Sequence, residues 1–173
     1  MGSKVGRPAA GNSDETRRHL LEAARQRFAR DGYRATTNKL IAADVGITPT
    51  AIYHYVDSKA ELYAAVYRDV VDRVYTDFER AAADQPHLLA RYSAVLRRAN
   101  ELQIADPSIA GFIVAVAQET QRHPDLLALL GPQRGRHQRF FASLVSEAAE
   151  AGELLPDVDL DGLTDLLAAV LSG

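Results

Sequence analysis

The 173-residue sequence contains no cysteine, no tryptophan and only one methionine. Without cysteine the chain forms no disulfide and supports no thiolate chemistry, which suits a reducing compartment. It has no apolar run near the ~18 residues that a membrane span needs. Its first twelve residues are polar and are not followed by the apolar segment of a secretory signal. These absences predict a soluble cytoplasmic protein without a membrane partner.

Patterns of catalytic and metal sites are also missing. No Ser/His/Asp or Cys/His set has the spacing of a nucleophilic site, and His123 and His137 are too far apart in sequence to indicate a zinc site. The acidic run at 157–161 resembles a calcium loop, but Ala168 occupies the position of the bidentate carboxylate, so we expect helix capping there. We predict neither an enzyme nor a metal or cofactor site.

Charge is divided unevenly along the chain, although the net charge is only −3. Residues 1–67 carry ten Lys and Arg against seven Asp and Glu, whereas residues 68–173 carry ten against sixteen. We call residues 1–67 the head and residues 68–173 the body. A basic head on an acidic body is typical of a protein in which only the head binds nucleic acid.

Apolar periodicity predicts an all-α fold, since no segment alternates at the period of a strand. The stripe from Leu20 to Phe28 marks a first helix over about 14–31 that stops at Gly32. The last helix ends without a capping or tail signal, which leaves open whether the natural chain extends past Gly173. Prolines separate the later helices, which we predict near 59–83, 87–104, 107–122, 132–151 and 159–172.

A short second helix is predicted to begin near Thr37 and to end at Gly46, where a left-handed glycine turns the chain. Its predicted buried side consists of Leu40, Ile41 and Val45.

A third helix follows, with Thr48 as N-cap and Pro49 in the first helical position, and runs to about Tyr55. Ser58 and Glu61 then form a capping box that opens a long fourth helix. Two short helices across a tight turn, followed by a long one, are the layout of a helix-turn-helix, whose second helix enters the DNA major groove.

The start of the third helix carries the side chains predicted to face the bases. Thr48 and Thr50 offer hydroxyls and methyls, and Pro49 can touch a thymine methyl. Tyr53 and His54 lie one turn further on, within reach of phosphates and sugar edges.

Lys59 opens the fourth helix, where its ammonium and the free backbone N–H groups make an anion site. It is the strongest single phosphate contact that the sequence predicts. Tyr55 fits a core position at least as well as a DNA contact, and we leave it out of the contact set.

Several short motifs follow one another in this region. They are Thr37 with Ile41-Ala42, Gly46-Ile47-Thr48, Ile52-Tyr53-His54-Tyr55-Val56 and Ser58-Lys59-Ala60-Glu61-Leu62. In order and spacing they resemble the head of the tetracycline-repressor-like (TetR) family of regulators, over about residues 14–67. Two residues depart from the family pattern. Val56 in place of Phe only lightens the core, whereas Thr50 in place of Gly leaves the fine docking and the operator sequence open.

The resemblance implies roles for individual head residues. Lys39 sits where some family members read a base. The basic arm with Lys4 and Arg7 corresponds to arms that reach an adjacent minor groove, although a solvated tail accounts for it equally well. The family's usual phosphate and groove positions fall on Thr37, Thr48, Tyr53 and Lys59.

The resemblance also implies a domain order, namely a flexible basic arm over 1–12, a helix-turn-helix domain over 13–67, and an effector-binding and dimerisation domain over 68–173. We expect a small, mainly hydrophobic effector in this last domain, although plain core packing explains the same residues. The candidate pocket residues are Tyr75, Phe78, Tyr92, Leu96, Phe112 and Val116.

Specific binding by a single helix-turn-helix normally requires two copies, since one head buries little surface. By resemblance, the last two helices form a four-helix bundle with those of a second copy. The candidate seam residues of this homodimer are Phe140, Leu144, Leu163, Leu167 and Val170.

The predicted function is a DNA-binding transcriptional regulator, a repressor that binds a palindromic double-stranded operator as a dimer and is released by its effector. An activator, or a helical enzyme or adaptor with the same head, remain alternatives on sequence alone.

Overall fold

The computed structural model describes residues 10–172, with the side chains of 13–131 and 133–171. Every regular element in this range is a helix, which confirms the predicted all-α fold. None of these helices is long and apolar enough to cross a membrane. The elements are α1 (Ala10–Ala35), α2 (Asn38–Val45), α3 (Pro49–Ile52), α4 (Lys59–Ala83), α5 (Leu88–Ala105), α6 (Ser108–Arg122), α7 (Pro124–Leu130), a 3₁₀ helix (Gly131–Gly135), α8 (Arg136–Glu150) and α9 (Leu160–Ser172).

Most helix boundaries lie within a residue or two of the prediction; the exceptions are the ends of α1, the end of α3 and the region around residue 131. The helix expected over 132–151 begins only at Arg136, because Gly131 adopts a left-handed φ of 58° and a 3₁₀ helix precedes α8. The seven-residue α7 was not predicted; it starts at Pro124, directly after α6, and is too short to show a clear period. Within α1, Gly32 breaks the helix as expected, with φ 78° and ψ 169°.

The described chain forms two compact units. The head unit ends at Val66 and also includes Gly111–Leu129, whereas the body unit consists of Tyr67–Ala110 and the chain from Leu130 onward. The assignment of effector binding and dimerisation to residues 68–173 stays a prediction. The structure adds that part of this stretch packs with the head.

The head unit is built on the apolar stripe of α1. Ile41 of α2 and Ile52 of α3 are fully buried with it. The Phe28 ring lies 4.8 Å from that of Tyr63 in α4 and 6.3 Å from that of Phe112 in α6. Burial of Ile41 and Ile52 in this core holds the short helices in place, since helices of this length are not stable alone. The buried residues of the stripe are Leu20, Leu21, Ala24 and Phe28.

The body unit has an aromatic core of its own. Tyr75 and Phe78 of α4 lie 5.5 and 6.0 Å from Phe140 of α8, and Tyr92 of α5 lies 6.1 Å from Phe141. Aromatic pairs at these separations add to the burial of apolar area. Helices α4, α5, α8 and α9 are joined in one cluster by these residues together with Ala168.

His137 of α8 provides a polar link inside this core. Its Nε2 lies 3.2 Å from the carbonyl oxygen of Ala168, and its Nδ1 lies 2.6 Å from the hydroxyl of Tyr75. Because a carbonyl only accepts, Nε2 carries the proton and the Tyr75 hydroxyl donates to Nδ1. A neutral His137 therefore ties α8 to α4 and α9.

Acidification should destabilise the protein through His137. Burial lowers the pKa of its imidazole below the ordinary 6.5, so the unfolded chain binds more protons than the folded protein as the pH falls through this range. The free energy of unfolding should therefore fall between pH 8 and pH 5.5, and His137→Gln should lose part of that decrease in urea unfolding. The exposed His19 supplies the control, since His19→Gln should keep the parent slope. An unchanged slope in His137→Gln would show that His137 does not titrate in this way.

Candidate nucleic-acid interface

Helix α2 is bounded at both ends by the residues that the sequence predicts. Thr37 has extended backbone angles, and its Oγ1 accepts from the N–H of Leu40 at 3.3 Å. Gly46 adopts a left-handed φ of 75°, and Ile47 N donates to the carbonyl of Ala42 at 3.0 Å, which closes the helix end. The predicted capping and glycine turn are confirmed.

The buried side of α2 is narrower than predicted. Ile41 is fully buried, but Leu40 is 39% exposed and Val45 only half-buried. Helical spacing indicated an apolar face without showing how much of it the neighbouring helices cover.

Helix α3 begins as predicted but ends early. Thr48 Oγ1 accepts from Ala51 N at 3.2 Å, and Pro49 occupies the first turn. The α-helix stops at Ile52 instead of running to about Tyr55. Beyond it, the N–H groups of Tyr53, His54 and Tyr55 bond to carbonyls three residues back, a 3₁₀ pattern common at helix ends. The segment after the Gly46 turn is therefore one α-helical turn followed by tighter 3₁₀ turns.

One side of α2 and α3 is polar and open to solvent. Ile52 is fully buried, whereas its neighbour Tyr53 is 55% exposed. Such one-sided exposure leaves the polar side chains available to a partner. The exposed residues of the predicted contact set are Thr37, Lys39, Thr48, Pro49, Thr50, Tyr53 and His54.

Lys59 does not face solvent in the way that the sequence predicts. Its Nζ donates to the carbonyl oxygens of Tyr33 at 2.9 Å and Thr36 at 3.1 Å, and lies 4.4 Å from the centre of the Tyr33 ring. This ammonium binds the chain's own carbonyls, an arrangement that the sequence did not indicate, and the phosphate contact of Lys59 stays a prediction. The predicted capping box does form, with Glu61 N donating to Ser58 Oγ at 3.1 Å. Lys4 and Arg7 of the predicted arm lie outside the described residues.

An ion-pair network fixes α2 against α1. Arg27 Nε and Nη2 donate to the two carboxylate oxygens of Asp44 at 2.5 and 2.7 Å, and Arg30 pairs with Asp31. The hydrogen bond from Arg27 holds the pKa of Asp44 below its usual range. Exposed ion pairs add little free energy each, so the network mainly sets the angle of α2. Sequence reasoning missed it because no local spacing links residues on two different helices.

The predicted effector residues fall into both units. Tyr75, Phe78, Tyr92 and Leu96 belong to the body core, whereas Phe112 and Val116 lie in the part of α6 that packs with the head. The structure therefore does not gather all six around one cavity within either unit.

A groove of about 540 Å³ opens in the body unit, where α5 begins. Tyr92 is the one predicted pocket residue that lines it. Sequence reasoning missed the rest, since no motif marks a groove between helices. The other lining residues are His87, Leu88, Leu89, Glu153, Leu154, Leu163 and Leu167.

The predicted dimer seam is only partly accessible. Phe140 and Leu144 are buried in the core of their own chain, which removes them as contacts for a second copy. Leu163 and Leu167 are half-buried, and Val170 is 56% exposed. Sequence reasoning missed Leu166, which is 59% exposed on the same helix.

Among residues 10–172, no group of three or more His, Cys, Asp or Glu side chains could hold a metal ion. His123 instead lies 3.7 Å from the Glu119 carboxylate. Asp159 Oδ1 accepts from Gly162 N at 3.0 Å, which is the capping predicted for the acidic run.

A capped pair of short helices across a left-handed glycine turn, with a polar exposed face on the second helix, defines a helix-turn-helix DNA-binding unit. Residues 20–66 match the profile of the family described as "Bacterial regulatory proteins, tetR family". Residues 20–66 therefore form a DNA-binding domain of the TetR family, and curated relatives of the chain are named HTH-type transcriptional regulators and repressors.

Similarity to individual regulators extends over most of the chain. UidR of Escherichia coli strain K12 is 26% identical over 91% of this chain and 79% of its own. The repressor KstR2 of Mycobacterium tuberculosis strain H37Rv is 27% identical over 88% of this chain and 76% of its own. The structure of FadR from Bacillus subtilis in complex with stearoyl-CoA superimposes with a TM-score of 0.78 at 16% identity, over 90% of this chain and 83% of that one, and shares the fold.

Replacing Gly46 should destabilise the protein through backbone strain alone. A Cβ at Gly46 meets no atom within 4 Å, but the left-handed φ of 75° costs an L-residue about 1–2 kcal/mol. Gly46→Ala should therefore lower the free energy of unfolding by about that amount in urea titration. Gly111→Ala is the matched control, because its Cβ meets Ala29 at an ordinary 3.8 Å and should stabilise α6 by up to about 1 kcal/mol. Equal effects at both glycines would contradict the strain argument.

Proposed function

We propose that this regulator is a cytoplasmic repressor that binds a palindromic double-stranded DNA operator as a homodimer and is released by a small hydrophobic effector. The observation that carries the DNA-binding part is the exposed polar face of α2 and α3. The fully buried Ile52 fixes this face to the head core, while Tyr53 beside it is more than half exposed.

The two N-cap threonines suit phosphate contacts. Each hydroxyl oxygen already accepts a backbone N–H, from Leu40 onto Thr37 and from Ala51 onto Thr48. The hydroxyl proton is then left to donate, and a phosphate oxygen is a strong acceptor. We propose that both threonines fix the head on the DNA backbone in this way.

The remaining exposed residues would read or approach the bases. Pro49 and Thr50 occupy the first turn of α3, where methyl and ring carbons meet thymine methyls. Tyr53 and His54 follow in the 3₁₀ turns, and Lys39 extends from α2. Because the front of α3 carries no Arg, Asn or Gln, we propose that operator preference rests more on methyl contacts, Lys39 and DNA shape than on bidentate hydrogen bonds.

The dimer proposal rests on the outer face of α9. Leu166 and Val170 are more than half exposed and one helical turn apart. Two such apolar side chains on one helix face are well placed to meet their counterparts across a two-fold axis, where a self-complementary patch forms. We propose them as the centre of the seam, with the half-buried Leu163 beside them.

The repressor and effector parts rest on the relatives and on the body unit. KstR2 is named a repressor, and the FadR structure contains stearoyl-CoA. The body unit offers a groove of about 540 Å³ whose walls include five leucines. An apolar molecule fits such walls, since binding removes hydrocarbon surface from water.

Selection of bound DNA from a random pool should yield an operator with two inverted half-sites. On that operator, the logarithm of affinity should fall with the logarithm of salt, by a slope of about 0.9 for each phosphate neutralised. Lys39→Met should weaken binding and reduce this slope, whereas the exposed Arg97 of α5 is the control, and Arg97→Met should leave both unchanged. Failure to retain any DNA would refute the proposed function.

Charge placed on α9 should dissociate the dimer. Leu166→Glu combined with Val170→Glu sets like charges against each other in the proposed seam, so sedimentation should show a monomer and operator affinity should fall. Ile104 is 74% exposed on α5, and Ile104→Glu should remain a dimer. A double variant that stays dimeric would place the interface elsewhere.

A further inference from the structure

Lys59 opens helix α4 but directs its charge into the head unit. Two of its three ammonium N–H groups are used by the carbonyls of Tyr33 and Thr36, at 2.9 and 3.1 Å. The Tyr33 ring lies 4.4 Å away, within the range of a cation–π interaction. Together these three contacts satisfy most of the bonding capacity of the ammonium.

The Tyr33 carbonyl belongs to the last turn of α1, which follows the break at Gly32, and the Thr36 carbonyl comes directly after that helix. Carbonyl groups at a helix end lack partners within the helix, and a lysine side chain can supply them. Thr36 directly precedes Thr37, the N-cap of α2. The ammonium of Lys59 therefore fixes the turn from which the DNA-facing end of α2 begins.

Glu119 of α6 supplies the opposite charge. This glutamate is only 9% exposed, and its Oε1 lies 3.6 Å from the position that a Cβ on Gly32 would occupy. Burial lowers the pKa of Lys59, while the Glu119 carboxylate acts to raise it. A buried carboxylate is costly unless it is compensated; the nearby basic groups are the Lys59 ammonium and the His123 imidazole, whose Nε2 lies 3.7 Å from Glu119 Oε2.

We propose that Lys59 is a positioning residue for DNA binding, holding the turn between α1 and α2 through the Tyr33 and Thr36 carbonyls, and that Glu119 keeps it there. This inference rests on the proposed DNA binding by the head. It assigns an affinity-determining role to a residue of α6, some sixty positions beyond the helix-turn-helix motif, and removes Lys59 from the set of direct phosphate contacts.

Salt dependence separates a positioning lysine from a phosphate contact. Lys59→Met keeps the length of the side chain and should weaken operator binding about tenfold, the effect of one charge-assisted hydrogen bond, with an unchanged salt slope. Lys39→Met, on the exposed face, should reduce the slope by about 0.9. Lys59→Arg should restore much of the affinity, because a guanidinium also donates to two carbonyls. A slope that falls equally in Lys59→Met and Lys39→Met would overturn the proposal.

Hydrogen exchange of the Leu40 amide gives a readout without DNA. This N–H donates to Thr37 Oγ1, so it should exchange faster in Lys59→Met and in Glu119→Gln than in the parent, and at the parent rate in Lys39→Met. If the Leu40 amide exchanged at the parent rate in both Lys59→Met and Glu119→Gln, the proposed role would be contradicted, even if the parent protein bound no DNA. Failure of the wider function is thereby distinguished from failure of this inference.

A double-mutant cycle tests whether Glu119 acts through Lys59. Glu119→Gln should weaken operator binding in the parent and have no further weakening effect in Lys59→Met. Additive losses would show that Glu119 acts independently and would overturn its assigned role. If Lys59→Met does not fold, Lys59→Arg and Glu119→Gln are each compared with the parent. Glu119→Gln should then show faster exchange of the Leu40 amide with an unchanged salt slope, and parent-like exchange in Glu119→Gln would overturn the proposal.

Discussion

The packed core of the head unit is the constraint on which the proposed DNA-facing surface depends. Helices α2 and α3 have only eight and four residues, and isolated helices shorter than about 12 residues are marginal in water. They persist because Ile41 and Ile52 are buried in the core of the head unit. The Phe28 ring contacts both Tyr63 and Phe112 in that core, so α4 and the 111–129 segment pack on α1, the helix against which α2 also lies.

Local signals explain why so much of the head could be predicted from sequence. Thr37, Thr48 and Ser58 each accept a backbone N–H three residues ahead, as their positions before apolar periodic segments indicate. Gly46 turns the chain because an L-residue is strained there. All four signals act within a few residues, and their outcome depends little on the rest of the fold.

Tertiary contacts explain what could not be predicted. Lys59 bonds to carbonyls 26 and 23 positions earlier in the chain, and Arg27 pairs with Asp44 across 17 positions. No local sequence pattern predicts either contact. Apolar periodicity has a related limit: it identifies Phe140 and Val170 alike as apolar positions on helices. Only the packed structure shows that the first is buried in its own core and the second is open to a partner.

The shortness of α3 has a consequence for how this regulator could change during evolution. With one α-helical turn as the proposed reading element, few side chains would stand at the groove, and those at its front, such as Thr50, are exposed and take no part in the core. Substitution there leaves the packing around Ile52 untouched. Under the proposed mode of binding, operator preference is separated from fold stability, and a duplicated copy of the gene would acquire a new target by a few codon changes while its scaffold stays the same.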